Sequence, residues 1–278
     1  MSKAILLILV ALTLRLAMLP FADSLFVTDA KQYYQIAENL EVPAEVTEQY
    51  GFIKWYEWSP VHILFLHFTN RELGIQIILS VLTVLILYKI NPYLGWFWCL
   101  YPVAIAFSVT YFKENLLFFS FAVILYLSTR NKWNILLIFP VTLLFTGLGA
   151  YKYNQSISLG FASNIIQMWK PGFHILRVFG NWTYILAIPY TVLIIAFIRY
   201  ARLNLNLIAV ILYTLIYCTV YGAPRFREPI MIILVYEIMR NNGYGYDQWR
   251  INSNNLKNSI ICLKSTTNKK KQNKRHCL

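Results

Sequence analysis

Long apolar segments separated by short polar connections recur along most of the chain. Each is close to the roughly 20 residues that an α-helix needs to cross the hydrocarbon core of a bilayer, although two are shorter. The predicted spans are residues 4–21, 73–90, 93–110, 115–127, 133–150, 182–198, 203–221 and 229–239. The pattern therefore predicts an all-α fold, a polytopic transmembrane helical bundle of about eight spans.

Composition supports this class. Hydrophobic residues make up 58% of the 278 residues and charged residues only 13%, whereas a soluble domain carries about 25% charged residues. The first apolar segment lacks a small-residue cleavage site and continues into Pro20 and Phe21. It is therefore predicted to be a retained anchor and not a removed signal peptide.

Basic residues in the short connections predict the orientation. With Lys3 inside, alternate connections place the following on the cytoplasmic side: Lys89, Arg130, Lys132, Arg199, Arg202 and Arg240. The predicted domain is residues 1–251, followed by a disordered basic tail, 252–278. The net charge is +13, but a short polar tail is not a nucleic-acid footprint, so the expected surroundings are lipid and no nucleic acid. The predicted location is a bacterial inner membrane, or the endoplasmic reticulum of a eukaryote.

The first predicted outer loop, residues 23–60, carries apolar and amphipathic stretches too short to span. Residues 31–40 and 60–69 are expected to form short helices along the membrane surface, because stretches of this length are more often interfacial than spanning. Residues 41–58 join them.

Asp29 is the first candidate for chemistry, because it follows the first span by only a few residues. A carboxylate at this point is able to meet a lipid-borne substrate and to exchange protons with water. Asp is also a preferred N-cap, whose carboxylate accepts the free backbone N–H groups of a helix that would begin near Ala30. The sequence alone leaves both roles open.

Further ionisable residues fall at the same predicted outer face as Asp29. They are Glu57, Lys113, Glu114, Arg225 and Arg227, with Arg15 in the outer half of the first span. Each has a structural alternative, such as a charge at a helix end or an anchor in the lipid headgroups. Charges in or beside spanning helices are costly and usually face a cavity or a partner. Their convergence at one face predicts an active site of carboxylates and cations.

The order of these features resembles that of the GT-C membrane glycosyltransferases, in the branch of the protein O-mannosyltransferases and the lipid A aminoarabinose transferases. The shared features are Arg15, Asp29 with the aromatic pair Tyr33 and Tyr34, Glu57 before Pro60, Glu114, and the run Arg225–Phe226–Arg227 before Pro229. Ala30 stands where the family usually has Glu. Because relatives often have more spans and a soluble outer domain, the chain resembles a short, divergent version.

The resemblance implies a reaction. A sugar passes from a polyprenyl-phosphate donor to a hydroxyl of a glycan, lipid or protein acceptor at the outer or lumenal face, with inversion at the anomeric carbon. The implied roles are a catalytic base, Asp29; acidic groups that orient the acceptor or bind a metal, Glu57 and Glu114; and cations for the donor phosphate, Arg225, Arg227, Arg15 and Lys113.

A divalent cation remains open as a cofactor, since Glu57, Glu114 and His174 carry suitable ligand atoms, but their spacing is not that of a metal motif. No Gly-rich phosphate loop occurs among the 11 glycines, which argues against a nucleotide-sugar donor. Three alternatives to a transferase stay open: a transporter or flippase of lipid-linked sugars, a polymerase that uses them, and a non-catalytic membrane assembly protein.

Overall fold

The computed structural model describes residues 2–25, 28–50, 54–146, 204–220 and 229–244, with positions 195, 196 and 199 between them. At 28, 29, 49, 50, 217–220, 243 and 244 it describes the backbone alone. Throughout these ranges the regular structure is helical and contains no strand, which confirms the predicted all-α class. The predicted tail and the predicted sixth span lie outside the described residues, apart from positions 195 and 196 of that span.

Twelve α-helices occur in the described ranges. They are α1 (Lys3–Leu16), α2 (Ala22–Leu25), α3 (Thr28–Asn39), α4 (Ala44–Tyr50), α5 (Pro60–Phe68), α6 (Leu73–Ile90), α7 (Pro92–Leu100), α8 (Pro102–Phe107), α9 (Glu114–Ser128), α10 (Ile138–Thr146), α11 (Leu205–Val220) and α12 (Met231–Met239). Short 3₁₀ helices cover Leu19–Phe21, Trp55–Glu57 and Lys132–Leu137, and a π-helix follows α12 at Arg240–Tyr244.

The bundle is built around α6, which packs against α1, α7 and α9. Helix α9 also contacts α10 and α12, and α10 packs against α11. Aromatic rings pack between these helices. The Trp98 and Phe118 rings meet edge to face with centroids 5.1 Å apart, and the Phe121 and Tyr213 rings meet in the same way at 5.4 Å. These pairs join α7 to α9 and α9 to α11 through the favourable T-shaped geometry of aromatic contacts.

Two of the described helical segments, Lys3–Leu25 and Leu73–Ile90, are long and apolar enough to cross a membrane. The outward positions of several helices are also apolar. Exposed large side chains include Leu6 and Leu9 on α1, Ile78 and Leu82 on α6, Leu143 and Leu144 on α10, and Ile211 and Leu215 on α11. Large apolar surfaces of this kind mark contact with a membrane or a partner. They support membrane association.

The prediction of one continuous third span over residues 93–110 is wrong. The chain forms two short helices there, α7 and α8, separated at Tyr101, whose φ of −69° and ψ of 112° are extended. Pro102 causes the break, because its ring disfavours helical geometry at the preceding residue and it has no N–H to donate. A hydropathy average over the segment does not register such a local interruption.

The other predicted spans form helices of different lengths. The second prediction coincides with α6, and the fourth corresponds to the 15 residues of α9. The fifth begins as a 3₁₀ helix and continues as α10, while the seventh and eighth correspond to α11 and α12, of 16 and 9 residues. The count of about eight spans thus remains a prediction.

Helices α3 to α5 form a layer at one end of the bundle, here called the outer-loop layer. The two predicted short helices are present as α3 and α5, which pack against each other; their place along a membrane surface remains a prediction. Between them the chain forms two elements that the sequence did not predict, α4 and the 3₁₀ helix Trp55–Glu57. The layer has its own small core of Tyr33, Ile36, Ala37, Val46, Trp58, Ile63 and Leu66.

Arg71 fastens this layer to the start of α6. Its guanidinium lies 2.9 Å from the Glu38 carboxylate and 4.6 Å from the centre of the Tyr34 ring, both on α3. Arg71 and its neighbour Asn70 both adopt left-handed backbone geometry, with φ of 59° and 50°. This geometry is costly for residues other than glycine, and the tertiary contacts of Arg71 help to hold it.

The opposite end of the bundle is held by the buried carboxylate of Glu237 on α12. It accepts hydrogen bonds from the side-chain amides of Asn204 and Asn206, and from the Arg240 guanidinium at 3.0 Å. Several donors around one carboxylate satisfy a charge that would otherwise be expensive to bury. The start of α11 is thereby fixed to the end of α12.

Because α6 and α7 approach closely at Gly95, we predict that a larger residue at this position destabilises the protein. A Cβ atom at this position would lie 2.6 Å from the Cα of Tyr88, so Gly95→Ala forces the two backbones apart. We expect a loss of about 1–3 kcal/mol in the free energy of unfolding, the usual cost of overpacking. Thermal unfolding of the purified protein in detergent measures it.

Gly74→Ala provides the matched control. Nothing lies within 4 Å of a Cβ at Gly74, which is also helical. This variant should be neutral or gain up to about 1 kcal/mol from the better helix propensity of alanine. Equal stability of the two variants would contradict the tight α6–α7 contact.

Candidate functional site

Arg15 lies fully buried near the end of α1. Its Nε donates to the Ser80 hydroxyl of α6 at 2.7 Å, and its Nη1 donates to the carbonyl oxygens of Ala11 at 3.0 Å and Cys99 at 3.5 Å. The guanidinium thus pairs with neighbouring helices, one of the alternatives open from sequence, and is not exposed. Its Nη2 has no hydrogen-bond partner, so one donor group of Arg15 is not used by the protein.

The polar contacts continue from α6 to α9. Gln76 precedes Ser80 by one helical turn, and positions four apart share a helix face. The Asn115 side-chain amide donates to both the backbone oxygen of Gln76 at 2.8 Å and its side-chain oxygen at 2.9 Å. A layer of buried polar groups therefore runs from α1 across α6 to the first turn of α9, and we call it the polar layer.

Lys113 and Glu114 extend the polar layer at the start of α9. Both are buried, with exposed fractions of 5% and 1%. Glu114 occupies the first position of the helix, where the positive end of the helix dipole favours a carboxylate. The Lys113 ammonium donates to the backbone oxygen of Phe145 on α10 at 3.4 Å.

The Phe145 carbonyl also connects the polar layer to the outer-loop layer. The hydroxyl of Ser59, just before α5, donates to the same oxygen at 2.6 Å. The Tyr33 hydroxyl of α3 lies 3.3 Å from the Ser59 hydroxyl. Ser59 itself has a φ of 50°, and such strained backbone positions are concentrated at functional sites. One carbonyl thus links α10, α9 and α5.

His62 is a buried part of this arrangement that sequence reasoning did not select. Its Nε2 lies 2.7 Å from the Tyr111 backbone oxygen, and its ring meets the Tyr33 ring edge-on at 5.1 Å. Burial lowers the pKa of His62 to about 3; the bond to Tyr111 acts to raise it and the nearby charge of Lys113 to lower it. The neutral imidazole donates from Nε2, and Nδ1 carries a lone pair without a hydrogen-bond partner.

No sequence pattern would have predicted that His62 is buried and bonded to Tyr111. The only local signal is its place two residues after Pro60, inside an otherwise apolar helix start. Its burial arises from Tyr111 and Lys113, which are about 50 residues away in sequence. A histidine of this kind is indistinguishable in sequence from one at a membrane surface.

The other sequence-predicted residues are placed to different extents. Asp29 occupies the first turn of α3, four residues before Tyr33. The structure describes its backbone but not its side chain. Glu57 ends the 3₁₀ helix before Trp58, and its Oε2 accepts the backbone N–H of Lys54 at 3.2 Å. Arg225 and Arg227 lie outside the described residues.

The structure thus buries three of the predicted residues, Arg15, Lys113 and Glu114, in the polar layer. Glu57 precedes Ser59 by two residues, and its contact with Lys54 is a local helix cap. Within the described ranges, no three His, Cys, Asp or Glu side chains are grouped closely enough to hold a metal ion. His174, the third metal ligand considered from sequence, lies outside those ranges.

Comparison with known proteins adds no assignment. No family model, curated protein or solved structure matches the chain.

The buried His62 predicts a pH dependence of stability. Its pKa is about 3 in the folded protein and near the ordinary histidine value of 6.5 when unfolded. The unfolded chain therefore binds the extra proton first, and stability present above about pH 6.5 is lost as the pH falls toward 3. His62→Gln should flatten this part of the pH profile of thermal unfolding.

His67→Gln is the control, because His67 is only partly buried and bonds to the Ala37 carbonyl at 2.8 Å. The His67→Gln variant should still lose thermal stability as the pH falls from about 6.5 toward 3, because His62 is intact in it. An unaltered profile in His62→Gln would show that this histidine is not the responsible group.

Proposed function

We propose that the chain is a multi-pass membrane glycosyltransferase of the GT-C type. It transfers a sugar from a polyprenyl-phosphate donor to an acceptor hydroxyl at the outer or lumenal membrane face, with inversion. The observation that carries the proposal is the polar layer, which buries Arg15, Lys113 and Glu114 inside a bundle whose outward side chains are largely apolar. Such groups are expensive to bury, and in membrane proteins they mark functional sites.

The polar layer has the chemical character that a lipid-phosphate donor needs. The layer contains two buried cations, Arg15 and Lys113, and Arg15 keeps one donor group free of protein partners. Arginine binds phosphate oxygens with paired hydrogen bonds, and a buried setting strengthens the attraction. In the proposal, Arg225 and Arg227 complete the phosphate site.

Asp29 acts as the base of the proposed reaction. As the acceptor oxygen forms its bond to the anomeric carbon, Asp29 takes the acceptor proton. The bond between that carbon and the phosphate oxygen breaks on the opposite face of the sugar, and polyprenyl phosphate leaves with the bonding electrons. Its negative charge is neutralised by the cations, so no second acid is needed. Glu57 and Glu114 serve to orient the acceptor.

The position of α3 supports this role for Asp29. Tyr33, one turn further along the helix, lies 3.3 Å from Ser59, whose hydroxyl shares the Phe145 carbonyl with Lys113. The backbone of Asp29 is therefore tied through three successive contacts to the cationic group of the polar layer. We propose a bundle of about eight spans around this site, with its basic connections on the cytoplasmic side.

A flippase of lipid-linked sugars is the second candidate, and the break between α7 and α8 is the observation that favours it. Interrupted helices are typical of transporter binding sites. The two candidates differ in product: only a transferase joins sugar and acceptor covalently. The test incubates the purified chain with a radiolabelled polyprenyl-phosphate sugar and a hydroxyl acceptor. Mass spectrometry of the products then separates the two candidates, because only a transferase yields the glycosylated acceptor.

Asp29→Asn is the test of the base. It removes proton acceptance with little change in size, and we expect sugar transfer to fall at least 100-fold, the usual scale of general-base catalysis. Asp23→Asn is the matched control, because Asp23 is an exposed carboxylate in the adjacent α2. Full transfer activity in Asp29→Asn would exclude Asp29 as the base.

Arg225→Gln tests the phosphate site. Loss of one guanidinium should raise the dissociation constant for undecaprenyl phosphate about tenfold or more, because charge-assisted hydrogen bonds to phosphate are lost. Arg130→Gln is the control: Arg130 is exposed after the far end of α9 and contacts Tyr126. Equal affinities of the two variants would leave Arg225 as an anchor in the lipid headgroups.

A further inference from the structure

The outer-loop layer carries a groove that the site described above does not use. Its volume is about 430 Å³, within the range of small-molecule pockets. One wall is the turn after α3, formed by Leu40, Glu41 and Val42; the other is the start of the 3₁₀ helix, formed by Lys54, Trp55 and Tyr56. We call it the Trp55 groove.

Aromatic rings line one wall of the groove. Tyr56 is 45% exposed, and the Trp55 and Tyr56 rings meet edge to face with centroids 5.7 Å apart. The Lys54 ammonium lies 5.6 Å from the centre of the Tyr56 ring. Trp and Tyr offer a large apolar surface together with a polar group, at low conformational cost, which suits them to ligands that are partly apolar.

The charged residues restrict the class of ligand. Glu41 and Lys54 are both exposed and lie on opposite walls, so the groove offers a strong hydrogen-bond acceptor and a strong donor. The hydrogen bond to Tyr56 raises the pKa of Lys54, which keeps the ammonium charged. An entirely apolar ligand would displace water from both charges without replacing its hydrogen bonds, and an anion would meet the Glu41 carboxylate. A neutral molecule with hydroxyl groups and an apolar face satisfies both walls.

The groove is held in shape by the layer beneath it. Leu40, Val42 and Trp55 pack against the small core of the outer-loop layer. Glu57 fixes the second wall, since its carboxylate accepts the backbone N–H of Lys54. Leu40 has a left-handed φ of 57°, which turns the chain at the first wall. A binding surface that is already formed has less conformational entropy to lose on binding.

We propose that the Trp55 groove binds a neutral sugar ring, with the exposed Tyr56 ring against its C–H face, Trp55 beside that ring, and Glu41 and Lys54 hydrogen-bonded to its hydroxyls. The groove lies on the outer-loop layer, and Tyr56 in its wall precedes Ser59 by three residues. As the acceptor subsite of the transferase, it rests on the proposed function. As a sugar-binding site, it is tested separately from catalysis.

Saturation-transfer NMR on the full chain tests the groove, in a detergent without a sugar headgroup. The probes are the methyl glycosides of glucose, galactose, mannose and N-acetylglucosamine. At least one should receive saturation at its ring protons, and the effect should fall at least fivefold in Tyr56→Ala and in Glu41→Gln. Both residues are exposed, so the variants are expected to fold.

Trp133→Ala is the matched control. Trp133 is an exposed tryptophan with the Lys132 ammonium 5.8 Å from its ring, but it lies beyond the far end of α9. This variant should keep the wild-type signal. Saturation transfer that survives in Tyr56→Ala and Glu41→Gln would overturn the proposal.

The remaining outcomes separate the groove from the catalytic proposal. Asp29→Asn should keep the saturation signal even when transfer is lost, since Asp29 is not part of the groove. A wild-type chain that binds a glycoside through Tyr56 but transfers no sugar would uphold the groove and contradict the transferase. Absence of a signal with all four glycosides would overturn the groove, and binding of inorganic phosphate instead would assign it to lipid headgroups.

Discussion

Burial of the Arg15 guanidinium is the constraint on which the arrangement of the helices depends. A charged group in an apolar helix costs several kcal/mol unless neighbouring groups hydrogen-bond to it. Arg15 obtains these bonds from the Ser80 hydroxyl and the Cys99 carbonyl, which lie on α6 and α7. Sliding α1 by one turn would remove both bonds and leave the buried charge only its bond to the Ala11 carbonyl of α1 itself. Three helices therefore have one favourable register, and the close contact at Gly95 keeps α6 and α7 together within it.

The Phe145 carbonyl couples this rigid bundle to the outer-loop layer. Lys113 of the polar layer and Ser59 of the outer-loop layer both donate to it, and the bond between His62 and the Tyr111 carbonyl provides a second connection. Displacement of α5 would break these bonds inside a buried region, where unsatisfied polar groups are costly. The position of α3, and with it the backbone of Asp29, is consequently set by the same contacts that hold the cations of the bundle.

Local sequence signals predicted much of the fold, whereas the site depends on contacts that no local signal contains. Helix α6 agrees with its predicted bounds because Asn91 and Pro92 stop a uniformly apolar run. The broken third span was missed, since a single proline barely alters average hydropathy. Arg15 and Ser80 are 65 residues apart, and His62 and Tyr111 are 49 apart. Pairings over such distances follow from packing, so sequence could single out the charged residues without showing their partners.

The break at Tyr101 bears on the choice between transfer and transport. Non-helical backbone at membrane depth is tolerated when protein covers it or when it lines a water-filled path. Tyr101 is buried, and its ring packs against those of Phe97 and Trp98 at 5.4 and 5.1 Å. Trp98 in turn meets Phe118 of α9. Aromatic rings therefore fill the space beside the break, where a transporter would need a passage for its polar cargo. The break serves to pack α7 and α8 against the bundle, which favours a fixed site at its end over a pathway through it.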